Sequence, residues 1–151
     1  MHTRASFLRT FLGLALLAIM PAAYSADAPS KEQAAKLLHQ LCDALVAKDM
    51  DAAVKLCYIP PGRREEELRG FLSRSIEGDE ISAAGIDILA AKGNWGKLAE
   101  VSPRLAKRLG DFKIPVEDCY GWMLEGAEAV FISDPAKGLL IVRCDDIGKL
   151  K

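Results

Sequence analysis

Apolar residues recur along this chain in two rhythms, helical from residue 31 to about residue 110 and alternating beyond it. Ala34, Leu37, Leu38, Leu41, Leu45 and Val46 fall at steps of three and four, the spacing that lines one face of an α-helix. Ser30 precedes them with Gln33 three residues on, a capping box, so a first helix is expected over 31–47. After the break Lys48-Asp49-Met50, Asp51 is expected to cap a second helix carrying Ala53, Val54 and Cys57. Pro60-Pro61-Gly62 must end it, because proline lacks the amide that the hydrogen-bond ladder needs. The two helices form a hairpin. A third helix fits 63–76, with Leu68, Phe71, Leu72 and Ile76 as its stripe, and Gly78-Asp79 stops it. Ile86, Asp87, Ile88 and Leu89 read as a short β-prone run and Lys92-Gly93-Asn94 as a turn. Trp95, Leu98, Val101, Leu105 and Leu109 return to helical spacing. Ser102-Pro103 reads as the N-cap and first position of a short helix ending before Gly110, and a strand over 96–101 stays open.

The last third alternates. Three β-prone runs, 116–124, 127–133 and 138–144, are joined by Glu125-Gly126 and by Asp134-Pro135-Ala136-Lys137, the pattern of an antiparallel meander. A two-residue first turn pairs Trp122 with Ala129 and Tyr120 with Phe131. Pairing Ser133 with Gly138 then sets Glu128 opposite Arg143, an opposite-charge cross-strand pair. In that register Cys119 projects with Met123, Val130 and Ile132, and Cys144 with Tyr120, Trp122 and Phe131 on the other face. No internal repeat appears.

The first 25 residues carry a different signal. Arg4 and Arg9 precede a ten-residue apolar run from Phe11 to Met20, and Ala23-Tyr24-Ser25 offers small residues at the positions a signal peptidase reads. Residues 1–25 are therefore expected to be a signal peptide and 26–151 a single domain, periplasmic or secreted, with no membrane anchor after processing, since ten apolar residues do not span a bilayer. Processing removes two of the 20 basic residues and none of the 21 acidic ones, leaving a formal charge of −3. That balance gives no electrostatic case for nucleic acid or an anionic membrane.

Four cysteines, Cys42, Cys57, Cys119 and Cys144, remain in the exported chain, an even count that suggests disulfides. Their spacings lack the close doublets of zinc or thiol-redox sites. Counted from the helical turn at 1.5 Å per residue, Cys42 lies about 8 Å before it and Cys57 about 9 Å after it, so a Cys42–Cys57 bridge is expected. A Cys119–Cys144 bridge needs a bulge or a one-residue slip.

Helices first, then a strand, a short helical segment and a terminal antiparallel sheet: this order is similar to that of the NTF2-like, or cystatin-like, α+β cone. The helical hairpin from Leu37 through Lys48-Asp49-Met50-Asp51 to Ala53 resembles the opening of that superfamily's small exported members. The resemblance implies a curved sheet wrapped around a helix with a pocket at its open end, used by some members for catalysis and by others for binding, a choice fold analogy does not make.

Candidate chemistry is sparse. His39, the only histidine after residue 25, lies beside the apolar stripe of the first helix and reads as a structural, hydrogen-bonded ring. Alternation puts Asp118, Tyr120 and Trp122 on one strand face with Phe131 opposite, so Tyr120, Trp122 and Phe131, with Trp95 from its glycine-flanked turn, are the candidate ligand contacts. Asp118 and Tyr120 are the candidate acid–base pair of an enzyme. The plain alternative is that the aromatics are core. Asp145-Asp146 suggests a cation site, but adjacent strand residues point to opposite faces, so no metal and no cofactor is expected. The expected function is binding of a small apolar ligand or of an envelope protein, with a homodimer as a further arrangement. The alternative is a small cofactor-independent isomerase, dehydratase or hydrolase.

Overall fold

The computed structural model describes residues 27–77 and 80–151. The expected signal peptide and the Gly78-Asp79 stop lie outside these residues. The architecture is α+β: helices come first, and a four-stranded antiparallel sheet follows at the C-terminal end.

Helix α1, Lys31–Val46, begins at the expected capping box. Ser30 Oγ accepts from Gln33 N at 3.1 Å, and Gln33 Oε1 accepts from Ser30 N at 2.9 Å. Ser30→Ala removes one of these bonds and is expected to cost about 1 kcal/mol in urea unfolding. Lys48 at φ 56° breaks the chain. Helix α2, Met50–Lys55, is capped by Asp49, which accepts from Ala52 N at 3.1 Å, rather than by Asp51. It ends before Cys57, which lies instead in a bridge to the sheet. Helix α3 spans Glu65–Glu77.

The β-prone reading of 86–89 is overturned: these residues lie in helix α4, Ala83–Lys92, capped by Ser82 and closed at Gly93. Ile86 and Leu89, three apart, are fully buried in the core with α1, and burial outweighs the modest helix penalty of two isoleucines. Strand β1 is Asn94–Lys97, helix α5 Leu98–Val101 and helix α6 Pro103–Asp111. The strand thus lies at 94–97 rather than 96–101, and Pro103 opens its helix as expected.

Strands β2, Cys119–Leu124, β3, Ala127–Asp134, and β4, Gly138–Asp145, lie in the order β1-β2-β3-β4. Residues 116–118, expected in the strand, form a 3-10 turn after Pro115. Glu125 and Gly126, with φ 48° and 89°, make the two-residue turn, and Trp122 pairs with Ala129 and Tyr120 with Phe131 as expected. The second hairpin differs. Asp134 pairs with Gly138, its carboxylate receiving Ala136 N and Lys137 N at 2.8 Å, so the register starts one residue from the expected one. A bulge then leaves Val142 between the pairs Phe131–Ile141 and Val130–Arg143. A one-residue slip exchanges the faces of a strand. The bulge restores them, so Cys144 still shares the face of Ala129 and Phe131.

The sheet is covered on both faces. On one, Trp122, Ala129, Phe131 and Ile141 pack with α1, α2, α4 and Ile147 of a C-terminal 3-10 turn. On the other, Val130, Ile132 and Leu140 pack with Leu98, Leu105, Leu109 and Ile114.

Candidate functional site

The four expected ligand contacts do come together, but on one another. Trp95 stands opposite Trp122 in the β1–β2 pair. Its ring stacks on Tyr120 at 5.8 Å, meets Trp122 edge-on at 5.3 Å and lies tilted to Phe131 at 5.7 Å. Such offset and edge contacts suit the quadrupoles of aromatic rings. Trp122 and Phe131 are fully buried, so packing takes the place of the ligand-lining role expected for them. Tyr120, itself mostly buried, has charged neighbours at its edge. Lys97 Nζ lies 4.5 Å from its ring centroid and donates to Glu117 O at 2.9 Å. Exposed Asp118 joins Lys97, Tyr120 and Asp134 around a wide, open hollow of about 850 Å³. The Asp118 carboxylate is there open to solvent.

An apolar groove lies elsewhere, between α3, α6 and the bulged edge of β4. Pro60, Leu109, Ile114 and Val142 form its wall, and the space measures about 380 Å³. Phe71 of α3 and Phe112 at the end of α6 border it with 46% and 56% of their surface exposed, although large apolar side chains ordinarily bury. Arg63 and Arg143 also border the groove. Arg63 Nη1 lies 3.2 Å from Glu67 Oε2. Arg143 donates through Nε to Glu128 and through Nη2 to Asp145 at 2.6 Å. The expected Glu128–Arg143 contact therefore exists although the bulge sets Glu128 opposite Asp145; the guanidinium bridges two carboxylates that would otherwise repel.

Leu68, Phe71 and Leu72 were visible as a helical stripe, but Phe112, Ile114 and Val142 carried no signal. Only the loop path after α6 and the bulge bring them beside α3.

A smaller cavity of about 50 Å³ adjoins the groove through Phe71, Val142 and Arg143, and Cys57 and Cys144 border it. All four cysteines are free, so the expected Cys42–Cys57 bridge is absent. Because α2 stops at Lys55, Cys57 faces β4, whereas Cys42 is buried in α1. Cys119 and Cys144 belong to opposite faces of the sheet. Burial pushes the Cys57 thiol up to about 12 and Cys119 to about 11, and raises Cys144 further.

His39 Nε2 lies 3.0 Å from Asp87 Oδ1, a partner unseen in sequence because 86–89 read as strand. Glu80, Asp145 and Asp146 bring carboxylate oxygens within 4.8 Å of one another. Asp146, at φ 56°, has left the strand, so the opposite-face argument fails for it. Arg143 holds Asp145, and Lys149 holds Asp146.

Comparison with protein-family models, curated proteins and solved structures finds no match to this chain. Among the described residues no helix is long and apolar enough to cross a membrane.

Proposed function

We propose that this protein is a non-catalytic binding module of the cell envelope, built on an NTF2-like framework, that holds a small, neutral, apolar ligand in the groove between α3, α6 and β4. The observation that carries the reading is the pair of exposed phenyl rings, Phe71 and Phe112, over an apolar groove of about 380 Å³. That volume falls in the range of small-molecule sites, which are mostly apolar with a few polar groups at the margin. Neutrality follows from the bordering cations: Arg63 already has Glu67, and Arg143 has Glu128 and Asp145. A further carboxylate on either guanidinium would gain little at such partly exposed positions. The order of helices followed by an antiparallel sheet supports the framework, and the leader-like residues 1–25 support export. A reaction at Asp118 and Tyr120 has weaker support, because Asp118 is solvated and Lys97 is engaged with Glu117.

Titration of the protein with the neutral apolar fluorophore N-phenyl-1-naphthylamine tests this. The emission is expected to rise and saturate. Phe112→Asp, at an exposed position that tolerates substitution, is expected to weaken binding about tenfold, the equivalent of about 1.4 kcal/mol. No rise with the wild-type protein, or equal affinity for the variant, would remove the groove as the site.

A further inference from the structure

Cys57 and Cys144 border one small cavity, and neither of the other two cysteines does. The chain after α2 closes against β4: Tyr58 N donates to Ile141 O at 2.7 Å and Ile141 N to Leu56 O at 2.8 Å, which sets Cys57 beside Ile141 in a parallel bridge. The bulge at Val142 then draws Cys144 closer. Ile141 and Cys144 are three residues apart, yet their partners Phe131 and Ala129 are only two apart on β3, a span of about 7 Å. Cys57, Ile141 and Cys144 thus share one face of the sheet, with Cys57 and Cys144 in diagonal placement. Cys42 is buried in α1 away from that cavity, and Cys119 Sγ sits 3.5 Å from Pro115 O in the opposite core.

We propose that Cys57 and Cys144 are the disulfide pair of the exported protein, tying the connection after α2 to the bulged edge of β4. The oxidant is a disulfide, either a small one such as oxidised glutathione or that of an envelope thiol oxidase. One thiol loses its proton and attacks the incoming disulfide, releasing one thiol and leaving a mixed disulfide. The second then attacks the protein-bound sulfur and releases the other thiol. The two cysteines give up two protons and two electrons, and the incoming disulfide is reduced to two thiols. Closure draws the sulfurs together to about 2.05 Å, a movement for which the cavity of about 50 Å³ between these elements provides room. Burial disfavours both thiolates. They are therefore poor leaving groups, and a bond between them is slow to reduce.

Trypsin places the four cysteines in separate peptides, 37–48, 56–63, 114–137 and 144–149. The full chain, made through the export pathway and again as reduced protein treated with oxidised glutathione, is blocked with an alkylating agent, digested without reduction and analysed by mass spectrometry. Peptide 56–63 linked to 144–149 is the expected product, with 37–48 and 114–137 alkylated. The Cys42→Ser/Cys119→Ser double variant should still lose about 2 Da on oxidation, two hydrogens, and gain roughly 10 °C in Tm, because the bond closes a loop of nearly 90 residues. A link from 56–63 to 37–48, or four alkylated cysteines after both treatments, would overturn the proposal.

Discussion

Gly85→Ala is expected to destabilise the protein by about 3 kcal/mol and to lower Tm by about 10 °C. On helix propensity alone the substitution should stabilise, by up to about 1 kcal/mol, since alanine is the better helix former. The packing reverses the sign. A Cβ at position 85 would stand 2.0 Å from Ile147 O and 2.8 Å from Ile147 C, and these are backbone atoms with no rotamer to yield. Either α4 or the 147–149 turn must move, and Ile147 is itself fully buried. Urea unfolding of the variant beside wild type decides the matter; an increase in stability would mean that α4 and the C-terminal turn are not packed in this way.

Trp122 carries the second large expectation. Trp122→Ala should cost about 4 kcal/mol, from lost burial and the cavity left among Trp95, Phe131 and α4. Trp122→Phe should cost no more than about 1 kcal/mol. The reason for the contrast is the indole Nε1, which is buried with no hydrogen-bond partner among the described residues, a state that costs about 1–3 kcal/mol. Phenylalanine removes that donor while keeping most of the ring, so the smaller core is partly offset. Equal losses for the two variants would show that the indole nitrogen has a partner after all.

These two residues also show what local patterns reveal. Trp122 and its pairing with Ala129 were legible, because a two-residue turn and strict alternation leave β2 and β3 only one register. The capping box at Ser30 was equally plain, since all its atoms lie within four residues. Gly85 was not legible. Its role exists only because the chain returns some sixty residues later to lay Ile147 against α4, and the same long-range burial turns Ile86 and Leu89 from strand-like into helical residues. The bulge at Val142 was hidden for a similar reason: nothing in Leu139-Leu140-Ile141-Val142 distinguishes one register from the next, and the turn at Asp134 decides it. The candidate groove depends on that bulge and on the path after α6, so its two halves, Phe71 and Phe112, meet only in three dimensions. The aromatic face singled out in the sequence was found intact but filled by its own rings.

The most direct test of the proposed binding function is native mass spectrometry of the protein produced through the export pathway, compared with its denatured mass. A native species heavier than the denatured chain by one small molecule, with that excess depleted in Phe112→Asp, is the predicted result. A native mass equal to the denatured mass would contradict a retained ligand in the groove, and a native mass raised by a whole second chain would assign the exposed phenyl rings to protein contact instead.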